Sequence, residues 1–258
     1  MRHRAMRRTW VPLLLALVAP PAHATESKLA VAAAANLKSA AEELARAFEG
    51  ERPGARVALS FGASGAFFAQ FQNGAPFDVF LSADREYPAK LVQAGLAAAA
   101  DERVYAIGTL VVWLPPGARV DVAGEGLAAL AAPEVKRIAI ANPRVAPFGR
   151  AAEAALRRAG VLEAVKGRLV LGASVGQAAQ FASTGAADAA FLPYSLTLEK
   201  ELAAGQVVPV PAPLYPRIEQ SGVVLSSARE PGLARAFLAF LGGEKGRAIL
   251  ARYGYGLP

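Results

Sequence analysis

The sequence predicts an α/β protein of two similar open-sheet lobes with a ligand cleft between them. The main observation is a partial internal repeat, in which Leu-x-x-Gly-Ala-Ser followed by Ala-Gln-Phe occurs at residues 59–71 and again at residues 169–181. After the Phe, each copy continues with a Gly-Ala turn, an aspartate and a short apolar run. Each copy is therefore predicted to form a strand, a Gly-Ala-Ser turn, a helix, a glycine turn and a second strand. The segments 105–114 and 218–226 are candidate crossovers, and 258 residues exceed a typical single domain.

The first lobe is predicted to begin with alternating strands and helices. Residues 28–34 form an apolar run typical of a buried strand, and Asn36 is a residue type favoured at a helix N-cap. The next helix, from residue 37 to about residue 50, repeats apolar residues at three- and four-residue spacings. Strands are expected at 56–61 and 77–81, and helices at 64–72 and 86–94, with Asp84 as the cap of the second helix.

The segment 105–114 is predicted to carry the chain into the second lobe. There we expect a strand at 137–141, a helix ending near Leu156, and the second copy of the repeat. A helix from Tyr194 or Ser195 to Ala204 and a strand at 207–210 complete this lobe, and helices at 231–241 and 244–253 close the chain. The predicted division places lobe 1 at residues 25–107 and 219–258, and lobe 2 at residues 108–218.

Residues 1–24 are typical of a cleavable secretory signal peptide. Residues 1–8 are basic, residues 10–18 are mostly apolar, and Ala22-His23-Ala24 is a small-x-small cleavage site. The apolar run is roughly half of the ~20 residues that a membrane-spanning helix needs. Cleavage after Ala24 removes four arginines and no acidic residue, so the formal charge falls from +7 to +3 and no basic nucleic-acid footprint remains.

The composition excludes most routes to catalysis. The chain has no cysteine, and both of its histidines, His3 and His23, lie in the predicted signal peptide. Such a mature chain cannot build a Ser-His triad, a Cys-His pair or the usual zinc site. A carboxylate enzyme using Asp78, Asp84 and Asp188 is the alternative, but these aspartates are better placed to fix turns and to cap a helix. We therefore expect a binding protein with no cofactor and no bare metal ion.

Four predicted helix starts are the candidate binding residues: Asn36, Ser64, Phe148 and Val175. A helix N-terminus offers free N–H donors and the positive end of a dipole, which together suit a small anion. None of the four turns contains lysine or arginine, so the donors are neutral amides and hydroxyls. Such donors favour a fully deprotonated tetrahedral oxyanion, because that ion carries acceptors only. Whether Asn36 donates from its side chain, from its backbone amide or from both stays open.

These turns resemble those of the periplasmic molybdate-binding proteins of ABC uptake systems. The resemblance is collinear over nearly the whole mature chain, and its most specific part is the run from Asn73 to Asp84; the other segments are Asn36-Leu37, Gly62-Ala63-Ser64-Gly65, Ala141-Asn142-Pro143, Ala146-Pro147-Phe148-Gly149, Ser174-Val175-Gly176-Gln177 and Tyr253-Gly254-Tyr255. It implies the type II periplasmic-binding-protein fold, capture of molybdate or tungstate between two closing lobes, and delivery of the ion to an ABC permease driven by an ATPase.

The resemblance also assigns roles to individual residues. Asn36 and Ser64 fall on the ligands of the first lobe, and Phe148 and Val175 fall on the amide donors of the second. Many members place a Ser or Thr hydroxyl at or just before the position of Asn36, whereas this chain has Ala35-Asn36. Tyr194 lies beside a position where some members use a tyrosine hydroxyl. It is a further candidate ligand, and a structural role is the alternative.

Other readings of the same residues remain. One alternative is a protein that binds sulfate or phosphate, because the type of donor does not determine the size of the cavity. Phosphate is disfavoured, because it carries a proton that needs an acceptor and the four turns contain no Asp or Glu. The ligand-sensing half of a transcription regulator is another, but it requires an N-terminal helix-turn-helix where a signal peptide stands. We expect a periplasmic monomer whose partners are the oxyanion and the permease, and which binds no nucleic acid.

Overall fold

The computed structural model describes residues 27–258, so the predicted signal peptide lies outside the described residues. The described chain forms two five-stranded sheets with helices packed on them, which confirms the predicted α/β class with two open-sheet lobes. Over the same range, we find no helix that combines the length and the apolar character needed to span a membrane.

The first sheet combines strands from both ends of the chain. Its members are β1 (Ser27–Ala34), β2 (Ala55–Gly62), β3 (Val79–Ser82), β4 (Arg103–Gly108) and β10 (Ile218–Val224). They lie in the order β2-β1-β3-β10-β4. β1 pairs in parallel with β2 and β3, whereas β10 runs antiparallel to β3 and β4. A strand from near the C-terminus therefore lies between two strands from the N-terminal half.

The second sheet repeats this arrangement. Its members are β5 (Leu110–Leu114), β6 (Ile138–Ala141), β7 (Leu169–Gly172), β8 (Ala189–Pro193) and β9 (Gln206–Pro209). They lie in the order β7-β6-β8-β5-β9, with β6 parallel to β7 and β8, and β5 antiparallel to β8 and β9. The sequence repeat thus corresponds to a repeat of topology, with β1, β2 and β3 matching β6, β7 and β8.

The chain crosses between the sheets twice. The first crossover is at Thr109, between β4 and β5, so the apolar segment 105–114 is two strands, one in each sheet. The second lies between β9 and β10. Gly108 and Ile218 pair with each other in the first sheet. The predicted division placed both in lobe 2, so each predicted boundary differs from the structure by one residue.

The ten α-helices of the described residues include four that begin next to the cleft. The full set is α1 (Lys38–Glu51), α2 (Ser64–Gln72), α3 (Glu86–Gln93), α4 (Val122–Glu125), α5 (Pro147–Arg158), α6 (Leu162–Val165), α7 (Val175–Ser183), α8 (Tyr194–Thr197), α9 (Pro231–Gly242) and α10 (Glu244–Arg252). The helices α1, α2, α5 and α7 follow β1, β2, β6 and β7. They start at the carboxyl ends of parallel strands, where open α/β sheets bind ligands.

The apolar cores lie on the two faces of each sheet and meet across the cleft. In the first lobe one core lies under α1, α9 and α10, and a second contains Phe67, Phe71 and Phe80. The core of the second lobe continues to Ala34, Ala63 and Ala83, at the carboxyl ends of strands in the first lobe. The two lobes are therefore in direct apolar contact.

Three local predictions were wrong. The helix expected from Tyr194 to Ala204 is only α8, one turn long, followed by turns up to Gly205. Asn36 does not cap α1, because it lies inside a 3₁₀ turn, Ala35–Leu37, and its side chain bonds elsewhere. The strand expected at 77–81 begins two residues later than predicted, at Val79, the first residue of β3.

Candidate functional site

The four predicted helix starts meet at one small cavity between the lobes. Its lining contains all of the candidate residues Asn36, Ser64, Phe148 and Val175, and the rest of it is alanine, glycine and proline. The free volume is about 10 Å³, which is of the order of one water-sized sphere. The lobes therefore leave no room at this point for more than one small group.

Each helix start presents a backbone donor for a geometric reason. Ser64 and Val175 are the first residues of α2 and α7, Phe148 is the second residue of α5, and Asn36 is the second residue of the 3₁₀ turn before α1. The N–H groups of the first turn of a helix have no acceptor within that helix. Pro147 occupies the first position of α5 as predicted, where its missing N–H costs nothing. The cavity is therefore lined with neutral donors from both lobes.

Ser64 also offers a hydroxyl to the cavity. Its side chain is buried, and the Ser64 Oγ accepts a hydrogen bond from the Ala83 N–H at 3.0 Å. Accepting that bond uses a lone pair of the oxygen and leaves the hydroxyl proton free to be donated. The Ala83 amide thus fixes the position of Oγ while its proton stays available to a ligand.

The side chain of Asn36 is engaged within the protein. The Asn36 Nδ2 donates to Gln220 Oε1 at 2.8 Å and to the Tyr255 hydroxyl at 3.0 Å, which uses both of its hydrogens. Its remaining polar atom, Oδ1, is an acceptor and cannot donate to an anion. In this orientation Asn36 Oδ1 and Gln220 Nε2 are buried without a hydrogen-bond partner among the described residues, and the backbone N–H is the donor that Asn36 has left for an anion.

Asn36 lies on a buried polar cluster formed by Gln220, Tyr255, Ser195 and Tyr105. The Tyr255 hydroxyl donates to the Asn36 carbonyl at 2.6 Å, and the Ser195 Oγ donates to the same carbonyl at 3.0 Å. Burial raises the pKa of the Tyr255 hydroxyl well above its ordinary value, so this group stays protonated at any physiological pH. Sequence reasoning did not identify this cluster, although Tyr255 lies in one of the segments quoted for the family resemblance.

Tyr194 lies outside the cavity lining. Its ring packs so closely on Gly254 that a Cβ there would overlap it, and its backbone N–H donates to the Thr109 carbonyl at 2.9 Å. Gly254 has a φ of 76°, a conformation that also favours glycine. This placement supports the structural role that the sequence left as an alternative.

The lobes are held together by hydrogen bonds across the cleft. The Gly65 N–H donates to the Val145 carbonyl at 2.8 Å, beside the cavity. On one side of the cavity, Ser39 Oγ donates to Glu199 at 3.1 Å. Together with the small cavity, these bonds define a closed arrangement of the two lobes.

A charged contact also crosses the cleft. Arg150 of α5 forms ion pairs with Asp84 and Glu86, the latter at 3.1 Å, and its guanidinium lies over the Tyr87 ring. Burial raises the pKa of the Asp84 carboxyl, against the opposing effects of the Tyr87 N–H and of Arg150. A larger open groove of about 420 Å³ lies beside this contact, but its lining mixes acidic and basic side chains and does not match a neutral donor set.

The aspartates considered for a carboxylate enzyme have structural partners. Asp78 accepts hydrogen bonds from the backbone N–H groups of Ala30 and Arg229, and Asp188 accepts them from Lys136 and Arg137. Asp84 accepts from the Tyr87 N–H at the start of α3. Within residues 27–258, no group of three or more acidic or histidine side chains is placed to hold a metal ion. The arrangement supports anion binding by neutral donors.

The fold and the site define a binding protein that closes two lobes on a small solute. The chain belongs to the family of bacterial extracellular solute-binding proteins, whose family model matches residues 29–256.

Among individual proteins, the chain is similar to the molybdate-binding protein ModA of Azotobacter vinelandii, with 39% identity over 254 residues that cover 98% of each chain. It is 38% identical to ModA of Rhodobacter capsulatus, covering 96% of this chain and 94% of that one. The solved structure of the periplasmic molybdate-binding protein of Azotobacter vinelandii has a TM-score of 0.82 at 38% identity, covering 89% of this chain and 99% of that one. The resemblance seen in the sequence is confirmed.

Proposed function

We propose that this protein captures molybdate, and also tungstate, between its two lobes and delivers the ion to an ABC permease. The observation that carries the proposal is the cavity itself, where four helix starts from both lobes surround one small space with neutral donors. An anion bound there accepts charge-assisted hydrogen bonds from amides that are already oriented. The near-full-length similarity to two proteins named for molybdate binding supports the choice of ion.

The proposed ligand set is the backbone N–H of Asn36, Phe148 and Val175, together with the N–H and hydroxyl of Ser64. The bound species is the whole oxyanion, so no protein group binds bare molybdenum and no cofactor is involved. Ala35 supplies no hydroxyl, and its small side chain leaves the first-lobe turn to act through amide donors. We further propose that the chain is exported to the periplasm by cleavage after Ala24, acts as a monomer, and catalyses no reaction.

The first experiment is calorimetric titration of residues 25–258 with molybdate, tungstate, sulfate and phosphate. We expect tight binding of molybdate and tungstate and weak binding of sulfate, because fixed donors at set distances select one ionic size. Phosphate should bind least, since its remaining proton needs an acceptor and the lining contains no carboxylate. Equal affinity for sulfate would contradict the choice of molybdate, and binding of none of the four would contradict an oxyanion site.

Replacing Ser64 with alanine in the same titration should weaken molybdate binding by about tenfold or more. The variant loses a hydroxyl donor to a charged ligand, a bond of roughly 1.5–3 kcal/mol, and it leaves the Ala83 N–H without its acceptor. Ser60→Ala is the matched control, because Ser60 is exposed on β2, four residues earlier in the chain. Equal affinities of the two variants would remove Ser64 from the site.

Replacing Arg150 with methionine should weaken binding about two- to fivefold near pH 7, which is the range for a partly exposed ion pair. The change also removes a charge that lowers the pKa of Asp84, so that pKa should rise further in the closed form. A carboxyl group whose pKa is higher when closed favours closure at low pH, and this contribution is lost as the pH rises through the closed-state pKa.

The expected signature is therefore an affinity that falls more steeply with rising pH in Arg150→Met than in the unmodified protein. Titrations at several pH values from about 4, near the ordinary carboxyl pKa, up to about 8 measure it. Arg157→Met is the control, because Arg157 lies on the same helix and, within residues 27–258, its only ion pair is with Glu153, four residues away on that helix. Parallel pH profiles for all three proteins would show that the Arg150 contact does not contribute to closure.

A further inference from the structure

The carbonyl of Asn36 is a point where the two lobes share a hydrogen-bond acceptor. It accepts from Tyr255, which lies in the C-terminal tail against β4, and from Ser195, which lies in α8 of the second lobe. Asn36, Ser195 and Tyr255 are 2%, 7% and 5% exposed. Because these groups are buried, water cannot readily replace a hydrogen bond that is removed from this cluster.

The available protons restrict how the group is connected. The Tyr255 hydroxyl accepts from Asn36 Nδ2 and has a single proton, which is directed to the Asn36 carbonyl at 2.6 Å. The Ser195 proton goes to that carbonyl at 3.0 Å, and the Ser195 Oγ lies 3.1 Å from the Tyr255 oxygen. The second lobe thus donates one hydrogen bond, from Ser195 to the Asn36 carbonyl, into a cluster that otherwise belongs to the first lobe.

This bond depends on closure, whereas the others do not. Tyr255, Asn36 and Gln220 all belong to the first lobe, so their mutual bonds persist when the lobes separate. The bond from Ser195 forms only when α8 lies against the turn before α1. Asn36 is held at its side chain by the first lobe and at its carbonyl by both lobes, which together fix the position of its Cα and therefore of the backbone nitrogen that carries the N–H.

We propose that Ser195 and Tyr255 are positioning residues that hold the Asn36 N–H toward the anion in the closed form, with Ser195 making that donor dependent on closure. The proposal rests on the proposed function, since it concerns how one ligand of that site is oriented. Neither hydroxyl lines the cavity, and each acts through Asn36.

The test is titration of molybdate and tungstate into Ser195→Ala, Tyr255→Phe and the double variant, with melting temperatures measured in the presence and absence of ligand. We expect Ser195→Ala to weaken binding by about three- to tenfold, the size of one buried hydrogen bond. Its ligand-free melting temperature should stay unchanged, because the open form lacks the bond in every variant. Tyr255→Phe should weaken binding and also lower the ligand-free melting temperature.

Two further variants separate positioning from simple adhesion between lobes. Ser195→Thr keeps the hydroxyl and should recover most of the lost affinity. Ser39→Ala removes another hydrogen bond across the cleft, to Glu199, without touching Asn36, and should change affinity less than Ser195→Ala. Because both hydroxyls act on one acceptor, the double variant should lose less affinity than the product of the two single losses.

The outcomes that overturn the proposal differ from those that overturn the function. If the unmodified protein binds molybdate and Ser195→Ala binds equally well, the positioning role is wrong and the function stands. The role is also wrong if Ser39→Ala matches Ser195→Ala, or if Ser195→Ala melts at a lower temperature without ligand. If the unmodified protein binds no oxyanion, the function fails and the positioning role fails with it.

Discussion

Replacing Gly65 with alanine is expected to lower the affinity for molybdate by about 100-fold or more. A Cβ at this position would lie 2.9 Å from the Val145 Cα of the second lobe and 2.8 Å from the Tyr87 Cζ, which is closer than real Cβ contacts. Overpacking of this kind costs roughly 1–3 kcal/mol, and the cross-cleft bond from the Gly65 N–H to Val145 would be lost as well. At 1.4 kcal/mol per factor of ten, the two effects give the stated loss.

The Gly65→Ala change should weaken closure of the lobes on the ligand and leave the stability of the ligand-free fold nearly unchanged. Gly65 is the second residue of α2, where alanine is a better helix former, and the Tyr87 hydroxyl has its contacts with Arg144 and Arg150 of the second lobe. When the lobes are apart the Tyr87 ring can turn aside, so the ligand-free melting temperature should change by only a few degrees. Calorimetric titration and thermal unfolding without ligand measure the two quantities separately.

Gly176→Ala is the matched control for this prediction. Gly176 is the second residue of α7, as Gly65 is of α2, but a Cβ there would lie no closer than 3.5 Å to its neighbours. The change keeps the backbone N–H and should alter affinity by less than about threefold. If Gly65→Ala binds as well as Gly176→Ala, the lobes do not approach in the bound protein as closely as they do here.

Replacing Asp78 with alanine is expected to destabilise the fold by about 3–5 kcal/mol. The Asp78 carboxylate is 1% exposed and accepts from the Ala30 N–H at 2.7 Å and the Arg229 N–H at 2.8 Å. Hydrogen bonds to a charged group contribute roughly 1.5–3 kcal/mol each, and the two N–H groups would be left in a poorly solvated place. Those bonds tie β1 to the segment between β10 and α9, so the change should lower the melting temperature by about 6–20 °C.

The internal repeat provides the control, since Asp188 is the counterpart of Asp78 in the second lobe. Asp188 also accepts two backbone N–H groups, from Lys136 and Arg137 at 2.9 and 2.8 Å, but at a more exposed position. Water can replace those bonds, so Asp188→Ala should cost about 1 kcal/mol. Thermal and urea unfolding of the two variants test the difference. Equal losses would mean that burial does not set the contribution of these carboxylates.

The sequence predicted the parts of the fold that depend on local pattern. Short apolar runs, glycine turns and the repeated Gly-Ala-Ser segment located β1, β2 and α2 to within about two residues, because each depends on neighbours in the chain. The helix expected up to Ala204 failed for a physical reason. The chain there turns to reach Gly205, which packs against Trp113, and the tertiary contact overrides the helical pattern.

The sequence predicted the parts of the site that are helix N-termini. It did not predict the parts that depend on hydrogen bonds between residues far apart along the chain. The donors of Ser64 and Val175 follow from the position of a helix N-terminus after a strand. The partners of Asn36 do not, because Gln220 and Tyr255 are 184 and 219 residues away along the chain. A capping role for Asn36 was a reasonable expectation from residue type, and the competing partners were visible only in three dimensions.

The position of β10 in the first sheet has a consequence for the order of folding. β4 joins that sheet only through β10, and β10 follows the whole of the second lobe in the chain. During synthesis, residues 27–108 therefore lack the strand that completes their sheet until residues 218–224 have been made. The second lobe has all five of its strands in one continuous segment and can assemble first. Closing the first lobe requires a contact between distant parts of the chain, which is the kind of step that slows folding.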